Sequence, residues 1–392
     1  MKKNVLLIVQ NNSFPFDRRV YKEALSLKNK GYNVFVICPK SETENKPEEI
    51  IDGIKVFRYN DLPATGGKLS YILEYLNAIT KIFIKSLKLI FSQKIDVVHV
   101  ANPPDFFWPL AKFIKPFKVK FIYDQHDLAP EVAKIKFGGN FFYKLLLFNE
   151  KLTVKNADGI IVVNNSFKKR LIERYNINEN LCEIVYNGPP EHFDSKPNEQ
   201  LIEKYKNHKV VLYIGLMAAS DNINVIIEAA KKIVFTHGRK DIKFLLVGDG
   251  YARASLEELT DKENLNEYVE FLGLVDYESV KEFLYIADVC VAPDTPNGLN
   301  EYLTLVKVLE YLKAGKTFVS FDLHETRVIA GEAGLYAKDI DDYAKKILYL
   351  LDNPEKTKEM GKIGKERINR NFLWKHSEER LIKLYDKLLE QK

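Results

Sequence analysis

Three polar residues spaced by three follow a loop rich in Pro, Asn and Gly in the second half of the chain. They are Thr304, Lys307 and Glu310, and the apolar periodicity around them predicts a helix that begins near Leu303. On such a helix the three side chains share one face, with Thr304 nearest the N-terminus. The N–H groups of a helix N-terminus and the charge of Lys307 can hold a diphosphate, and Glu310 can accept hydrogen bonds from ribose hydroxyls. The alternative is an ordinary amphipathic helix on which Lys307 and Glu310 form a solvated ion pair.

A histidine flanked by carboxyl groups is the second candidate for chemistry. His126 stands shortly after a predicted strand that ends at Tyr123, close to Asp127 and Glu131. A histidine in such a loop can contact the reacting groups of a substrate or transfer a proton. The alternative is a structural histidine held by Asp124 or Asp127.

Two further motifs carry weaker signals. Gly248-Asp249-Gly250 follows a predicted strand, but Arg253 stands where a dinucleotide fingerprint needs its third glycine. Asp339-Ile340-Asp341 has the acidic spacing of some metal sites, yet it lies at a predicted helix start, where aspartates cap N–H groups. We therefore expect neither NAD nor a metal ion at these motifs, and no cofactor is predicted.

The elements that carry these residues alternate between short β-rich apolar runs and longer helical patterns, which indicates parallel sheets covered by helices. The runs occur at Val5–Val9, Val34–Cys38, Val97–Val100, Lys120–Tyr123 and Gly159–Val163, and again at Val210–Ile214, Lys243–Val247, Val269–Phe271, Val289–Ala292 and Thr317–Phe321. We predict an α/β protein with two doubly wound Rossmann-like domains, at residues 1–190 and 208–373. The charged stretch 191–207 is the predicted linker. An amphipathic helix at 374–389 needs a surface to cover, and packing back on the first domain is one of two possibilities.

Composition restricts the class of protein. The 392 residues are 46% hydrophobic and 29% charged, as in a globular chain, and a net charge of +5 does not indicate a nucleic-acid-binding protein. The spacing of Cys38, Cys182 and Cys290 predicts neither a disulfide framework nor a zinc site. The apolar start Val5–Val9 is interpreted as a buried strand rather than a signal peptide, and lysines interrupt the best candidate for a membrane span. We expect a cytoplasmic protein.

The run from Thr304 through Lys307, Glu310 and Tyr311 to Gly315 resembles the donor-site signature of the retaining glycosyltransferases of family 4, also called group 1. One branch of that family has Ser/Thr-x-x-Lys-x-x-Glu-Tyr before a glycine. The resemblance implies the GT-B fold, in which two Rossmann-like domains face each other across a cleft. Because open α/β sheets bind ligands beyond the carboxyl ends of their strands, post-strand loops are expected to hold donor and acceptor. The resemblance further implies a nucleoside-diphosphate sugar donor, transfer with retention and no catalytic metal.

The resemblance also implies roles for particular residues of the second domain. The diphosphate is expected near Gly215, Thr304 and Lys307, the ribose near Glu310, the base near the loop of Val275, and the sugar near Asn300 and Glu301. Glu301 is accordingly a candidate catalytic residue beside His126.

Two positions depart from the family pattern. Tyr302 stands where the first glutamate of a Glu-x7-Glu pair is expected, with Glu301 next to it. The loop Gly215–Asp221 lacks the Arg and Lys that such enzymes usually carry there. Lys307 and helix N–H groups are therefore expected to carry more of the phosphate charge.

The resemblance also implies that post-strand loops of the first domain face the acceptor. The acceptor-side candidates are Asn12, Asp17, Arg18, Asp127 and Glu131. Arg18 suits phosphate recognition through its planar fork, and the alternative is a surface residue at a helix start. The segment 123–131 is similar to one in bacterial surface-polysaccharide members of the family.

Two segments of the first domain, 81–91 and 137–155, are both basic and apolar. They can lie as amphipathic helices on an anionic membrane, although Rossmann helices that bury one face show the same pattern. Because the predicted acceptor is a glycan or a lipid-linked glycan, peripheral contact with the inner face of the membrane is a possibility that the sequence leaves open.

The sequence therefore predicts a glycosyltransferase of cell-surface polysaccharide or other glycan biosynthesis. Two alternatives stay open. The first is a GT-B nucleotide-sugar epimerase, and the second is a non-catalytic nucleotide-binding partner subunit of a glycosyltransferase.

Overall fold

The computed structural model describes residues 2–62, 68–193 and 198–390. The chain divides into two compact units, the first comprising Met1–Asn187 and Ser377–Lys392 and the second comprising Gly188–His376. The stretch 191–207, predicted as a linker, belongs to the second unit, and residues 194–197 lie outside the described residues. Part of this stretch is helical rather than loop-like, because Asn198 caps a short helix through a hydrogen bond from the Gln200 N–H and Tyr205 is buried.

The first unit contains one mostly parallel sheet. Within the described residues its strands are β1 (Asn4–Ile8), β2 (Asn33–Pro39), β3 (Glu48–Ile51), β4 (Ile54–Tyr59), β5 (Val97–Ala101), β6 (Lys120–Gln125), β7 (Gly159–Val162) and β8 (Cys182–Ile184). Their order is β3-β4-β2-β1-β5-β6-β7-β8, and β3 is the strand that runs antiparallel to its neighbour. Strands β3, β4 and β8 were not predicted from the sequence, although the Asp52-Gly53 turn of the β3–β4 hairpin, with both residues at positive φ, is a local signal for a hairpin.

Helices connect these strands. They are α1 (Arg18–Lys30), α2 (Lys68–Gln93), α3 (Trp108–Ile114), α4 (Ala129–Phe137), α5 (Asn140–Asn156) and α6 (Asn165–Tyr175). The side chain of Asp17 caps α1 by accepting the N–H groups of Arg19 and Val20, and Gly31 ends the helix in the left-handed conformation, at φ 108°.

The second unit alternates strands and helices throughout. In the described part of the chain these are α7 (Glu199–Tyr205), β9 (Lys209–Ile214), α8 (Asn224–Lys231), β10 (Ile242–Val247), α9 (Arg253–Lys262), β11 (Val269–Gly273), α10 (Tyr277–Ile286), β12 (Val289–Ala292), α11 (Val306–Lys313), β13 (Phe318–Phe321), α12 (His324–Ala330), β14 (Gly334–Ala337), α13 (Ile340–Asp352) and α14 (Pro354–Asn371). The strand order β11-β10-β9-β12-β13-β14 is all parallel and equals the 3-2-1-4-5-6 order of a Rossmann sheet. The prediction of an α/β protein with two doubly wound units is confirmed.

The last helix, α15 (Trp374–Glu390), packs on the first unit from Ser377 onward. Ser377 Oγ donates to the Tyr186 carbonyl at 2.9 Å. A Cβ atom at Gly159 of β7 would lie 2.9 Å from Leu388 Cδ1, so the missing side chain lets the helix approach the strand. The apolar stripe of α15 is thereby buried.

The interior strands are buried on both faces, as parallel strands between helical layers must be. β5 and β12 consist of buried residues throughout. Cys38, Cys182 and Cys290 are free and buried, in agreement with the predicted absence of a disulfide framework. Among the described residues, no helix combines the length and hydropathy needed to cross a bilayer.

Gly361 of α14 has no room for a side chain. A Cβ atom there would lie 2.0 Å from the Gly315 carbonyl oxygen in the turn after α11. Although alanine favours helices, Gly361→Ala is expected to lower the free energy of unfolding by about 1–3 kcal/mol, because helix and turn must separate. Urea denaturation measures the change, and Lys362→Ala at an exposed position of the same helix is the control. Equal denaturation midpoints for wild type and Gly361→Ala would contradict this packing.

Candidate functional site

In the first unit, Asn102 joins the loops that follow β5 and β6 at the carboxyl edge of the sheet. Its side chain is fully buried. Nδ2 donates to Asp105 Oδ1 at 2.9 Å and to the Asp127 carbonyl at 2.8 Å, and Oδ1 accepts the His126 N–H at 2.5 Å and the Asp127 N–H at 3.1 Å. Asn102 therefore fixes the backbone of the loop that carries the candidate catalytic histidine.

Asp124 is the centre of a buried cluster of charged groups at the end of β6. Arg19 contacts its carboxylate at two points, Nε to Oδ2 at 3.1 Å and Nη2 to Oδ1 at 2.9 Å. Through Nη1, Arg19 also donates to the Val185 carbonyl and the Asn187 side chain. Burial alone would raise the pKa of Asp124, but the charges of Arg19 and His126 and a hydrogen bond from His126 hold it well below its ordinary value. The carboxylate is therefore ionised.

His126 pairs with this carboxylate. Its Nε2 lies 2.7 Å from Asp124 Oδ2, and its side chain is 11% exposed. The predicted alternative of a histidine held by Asp124 thus describes the geometry, although the imidazole keeps an edge at the surface. A residue that touches solvent and rests on a buried carboxylate is well oriented for contact with a substrate.

A second histidine connects the same carboxylate to the last helix. His99 of β5 lies 3.4 Å from Asp124 Oδ2 through Nε2, and its Nδ1 lies 2.8 Å from the Tyr385 hydroxyl of α15. Burial lowers the pKa of His99, which favours its neutral form. A chain of contacts therefore runs from Tyr385 through His99 and Asp124 to His126.

Glu23 adds a buried carboxyl group to the cluster. Among the described residues neither of its oxygens has a hydrogen-bond partner, although Oε1 lies 3.2 Å from Arg19 Nε as an ion pair. Burial and the charge of Asp124 raise the pKa of Glu23 well above its ordinary value, against the charge of Arg19. Glu23, Asp124 and His126 offer possible metal ligands within 4.8 Å of one another. Arg19, however, already places a fixed cation against both carboxyl groups, and it would repel a metal ion there.

Four of the predicted acceptor-side residues lie in the loops that follow β1 and β6 or at the start of α1. Asp127 is adjacent to His126, and its pKa is raised by burial and by the charge of Asp17, while the charge of His126 lowers it. Asp17 uses its carboxylate to cap α1. Asn12 is exposed and accepts the N–H of the next residue, and Arg18 is exposed at the first position of α1.

Glu131, the fifth of these residues, does not join the His126 cluster. Its buried carboxylate pairs with Arg170 and with Arg174 Nη2 at 2.9 Å, both on α6, and accepts a hydrogen bond from the Tyr143 hydroxyl at 3.2 Å. The arginines of α6 bind the Glu131 carboxylate and tie α4 to α6, and the acceptor-side role of Glu131 stays a prediction. No local signal in the sequence indicates this pairing, because Arg170 and Arg174 lie 39 and 43 positions from Glu131.

Arg19, Asn102, His99 and Tyr385 form the cluster around His126, and sequence reasoning assigned a role to none of them. The signal for Arg19 was its spacing of four from Glu23, which places both on the buried face of α1. The other residues had no local signal, since their partners come from different strands and from the end of the chain.

In the second unit, α11 begins at Val306, three residues later than predicted. Leu305 precedes it in an extended conformation, at φ −72° and ψ 108°, because its side chain enters the core. Thr304 therefore lies before the helix, and the prediction that it shares a helical face with Lys307 and Glu310 is wrong. Lys307 and Glu310 do lie one turn apart, and both are partly exposed.

Lys307 is positioned by residues at the ends of β9 and β12. Its Nζ lies 2.9 Å from Asp294 Oδ2 and 5.0 Å from the centre of the Tyr213 ring. A Cβ atom at Gly215 would lie 2.7 Å from the Tyr213 hydroxyl oxygen and 3.5 Å from Lys307 Cε. The structure thus brings together two predicted donor-binding residues, Lys307 and Gly215, next to a carboxylate that holds the ammonium group in place.

Tyr311 anchors α11 to the sheet. Its buried hydroxyl accepts the Ile214 N–H at 3.0 Å and donates to the Val291 carbonyl at 3.2 Å. These bonds reach the two strands between which the strand order of a Rossmann sheet reverses, where such sheets bind ligands. Tyr311 therefore sets the direction in which Lys307 and Glu310 project.

The predicted sugar-binding residues Asn300 and Glu301 stabilise the loop between β12 and α11. Glu301 Oε2 accepts the Gly298 N–H at 2.9 Å. Asn300 Nδ2 donates to the Thr295 carbonyl at 2.8 Å, and Asn300 is buried. Glu301 stays partly exposed, whereas the amide of Asn300 is used inside the protein.

Glycines allow the ends of β9, β10 and β11 to approach closely. Gly248, at φ 134°, donates to the Gly273 carbonyl at 2.9 Å, and a Cβ atom there would lie 1.8 Å from the Gly215 carbonyl oxygen. The packing of the strand ends thus accounts for Gly248 in the Gly-Asp-Gly motif. Val275, the residue predicted near the base, is partly buried and lies two residues beyond the end of β11. In the sheet, β11 is separated from β9 by β10.

The acidic motif at Asp339 is a helix cap, as predicted. Asp339 accepts the Asp342 N–H at 2.8 Å at the start of α13. Asp341 pairs with Lys232 at 2.7 Å on the surface.

The two Rossmann-type units have the fold of GT-B glycosyltransferases. The structure is similar to sucrose-phosphate synthase of Thermosynechococcus elongatus, with a TM-score of 0.80 and 19% identity over 100% of both chains. It is also similar to HepE of Anabaena in complex with UDP, with a TM-score of 0.75 and 16% identity over 98% of this chain and 100% of the other.

Sequence comparison identifies the family. Residues 17–190 match the profile described as Glycosyltransferase Family 4, and residues 208–353 match that of Glycosyl transferases group 1. An uncharacterized glycosyltransferase of Methanocaldococcus jannaschii is 26% identical over 92% of both chains. The chain belongs to the group 1 glycosyltransferases of family 4, which confirms the predicted family.

Glu23 is expected to make folding stability depend on pH. Between about 4.5, its ordinary pKa, and its raised folded value, the folded state binds more protons than the unfolded state. The stability that the protonated carboxyl contributes is therefore fully present below pH 4.5 and is lost as the pH rises through this window. Glu23→Gln removes the titration, so the stability of the variant relative to wild type should rise with pH by up to about 1.4 kcal/mol per pH unit.

Urea denaturation at several pH values within this window measures the difference between the two proteins. Glu379→Gln, at an exposed position of α15, is the control, and its stability should run parallel to wild type. A constant difference between Glu23→Gln and wild type across the window would show that Glu23 does not titrate in this way.

Proposed function

We propose that this glycosyltransferase transfers a sugar from a nucleoside-diphosphate sugar to a glycan or lipid-linked acceptor, with retention of anomeric configuration and without a metal ion. One observation carries the proposal. Lys307 is held beside Gly215 at the ends of β9 and β12, and Glu310 lies one turn further along α11. A cation followed by a carboxylate at a Rossmann switch point matches a diphosphate followed by a ribose.

Lys307 supplies the charge that faces the diphosphate. An ammonium group has three N–H donors, so Lys307 can keep its bond to Asp294 while it donates to phosphate oxygens. Because Asp294 and the Tyr213 ring already restrict the side chain, little of its freedom is lost when the donor binds. The backbone at Gly215 and Thr304 completes the phosphate surroundings, and the loop of Val275 borders the base.

Uridine is the first nucleotide to test, since HepE of Anabaena has been observed in complex with UDP. Glu310 accepts hydrogen bonds from the ribose hydroxyls in this proposal. The sugar then lies near Glu301, which remains partly exposed.

His126 contacts the transferred sugar and the departing phosphate. In a retaining transfer the acceptor hydroxyl approaches from the face that the diphosphate leaves, so stabilising the developing phosphate charge is the main catalytic task. Asp124 holds the imidazole at 2.7 Å, and Asp127 lies next to it on the acceptor side. The acceptor is proposed to belong to cell-surface glycan assembly, at the cytoplasmic face of a membrane.

A non-catalytic partner subunit is the second candidate function. Tyr302 replaces the expected glutamate, the loop Gly215–Asp221 carries no Arg or Lys, and the Glu301 carboxylate is bonded within its own loop. Such a subunit would bind the nucleotide but transfer no sugar. Product analysis with a panel of nucleotide sugars distinguishes transfer, epimerisation and simple binding.

Nucleoside diphosphates are expected to stabilise the protein against heat. At a hundredfold excess over the dissociation constant a ligand contributes about 2.7 kcal/mol, which corresponds to about 5–10 °C for a unit of this size. Lys307→Ala and Glu310→Ala should lose most of this shift. Thermal unfolding with UDP, GDP and ADP measures it.

Two matched controls remove a lysine and a glutamate at exposed positions of α14 instead. Lys362→Ala and Glu366→Ala should retain the full shift. If Glu310→Ala and Lys307→Ala kept it as well, the nucleotide would bind elsewhere and the donor assignment would be wrong.

His126→Gln is expected to reduce sugar transfer about 10²–10⁴-fold while nucleotide binding is retained, because the imidazole acts on the reacting groups. Radiolabelled transfer or product mass spectrometry measures the rate once a donor is known. His237→Gln, at an exposed position of the second unit, is the control and should transfer at the wild-type rate. An unchanged rate in His126→Gln would leave the histidine a structural role only.

A further inference from the structure

The first unit contains an apolar cavity of about 380 Å³ between α2, α4, α5 and the loop after β5. This volume lies within the range of small-molecule pockets, about 300–1,000 Å³. Its wall includes Leu76, Ile79, Val132, Phe142, Leu145 and Leu146. Aliphatic and aromatic side chains on three helices thus surround a space that no described side chain fills.

Apolar surface continues from the cavity toward solvent. Leu76, Val132 and Leu145 line the cavity and are 40–52% exposed. Ile135 of α4 and Phe141 of α5 are exposed large apolar residues close to them in sequence. Exposed apolar residues at the wall of an apolar cavity indicate a binding partner.

The inner wall of the cavity adjoins the loop that carries the candidate catalytic histidine. Asp105 and Asp127 line the cavity, and Asn102 bonds to both of them and to the His126 N–H. Asp105 is buried, and its Oδ2 has no hydrogen-bond partner within the described residues. Because these carboxyl groups favour a hydroxyl donor over an anion, a molecule in the cavity would place its hydroxyl-bearing end beside the loop of His126.

Lysines on α4 and α5 indicate which kind of molecule the cavity binds. Lys136 lines the cavity, and Lys134 and Lys144 on α4 and α5 are exposed. Lysines next to apolar surface favour an amphiphile with an anionic group over a neutral chain.

We propose that this cavity binds the hydrocarbon chain of a phosphate-bearing lipid acceptor and so directs the polar end of the acceptor to His126. The inference rests on the proposed function for the reaction itself. The continuity of the cavity wall with Asp127 and His126 favours an acceptor chain over a peptide or the membrane surface.

The test measures the affinity of the full chain for n-alkyl phosphates of six, eight and ten carbons, each below its micelle concentration, by calorimetry. Burial of each added methylene should strengthen binding about fourfold. Ala133→Trp, which fills the cavity from α4, and Leu145→Ser, which weakens its wall, should each reduce the affinity for decyl phosphate about tenfold or more. Phe148→Ser, at an exposed residue of α5 that is not part of the wall, should bind within about twofold of wild type.

Each outcome decides the matter. An affinity that does not change with chain length, or that inorganic phosphate reproduces, overturns the proposal. So does binding of wild type and Ala133→Trp to anionic phosphatidylglycerol vesicles with equal strength when neither binds monomeric alkyl phosphates, since the helices would then form a membrane surface.

The UDP-induced thermal shift of the same samples separates the two proposals and reports on folding. A shift retained in Ala133→Trp together with lost alkyl binding supports the cavity and shows an intact second unit. Chain-length-dependent binding in a protein that no nucleotide stabilises would keep the cavity and contradict the donor assignment.

Discussion

Asp124 carries a negative charge at the fully buried end of β6, and Arg19 balances it through a two-point contact at 2.9 and 3.1 Å. A buried charge is tolerated only when other charges and hydrogen bonds replace the water it has lost. This condition determines the surroundings of Asp124. His126 at the surface, His99 in the interior and the backbone at Val185 all take positions that complete the bonding of this one ion pair. Tyr385 of α15 joins the same network through its contact with His99. The last helix therefore contributes to the orientation of the candidate catalytic histidine.

The second unit positions its candidate donor site by packing rather than by buried charge. Glycines at the ends of β9, β10 and β11 let the strand ends approach, and Tyr311 bonds α11 to β9 and β12. Lys307 then projects from a rigid helix beside Asp294, at 12% exposure. A cation that is partly exposed and already oriented can bind a phosphate without first being extracted from the interior. The first unit thus provides an imidazole on a buried carboxylate, and the second provides an oriented ammonium group.

The donor-site motif was predictable because its spacing is local. Lys307 and Glu310 lie one helical turn apart whatever the rest of the protein does, and Tyr311 follows them on the buried side. The same spacing predicted that Thr304 belongs to the helix. This was wrong, because Leu305 is buried in an extended conformation and α11 begins only after it. In the first unit, the spacing of four between Arg19 and Glu23 puts both on one face of α1, but only the packing of the helix shows that this face is buried.

By itself the sequence determined the alternation of strands and helices, the two doubly wound units, the family and the helical turn that carries Lys307 and Glu310, because these depend on residue type and short spacing. The tertiary structure alone decided which charged groups meet. Glu131 pairs with Arg170 and Arg174 of α6, and Asp124 gains Arg19, which lies 105 positions away in the chain. The physical reason is that a buried charge is compensated by whichever groups the folded backbone brings within hydrogen-bonding distance, and distance along the chain does not reveal them.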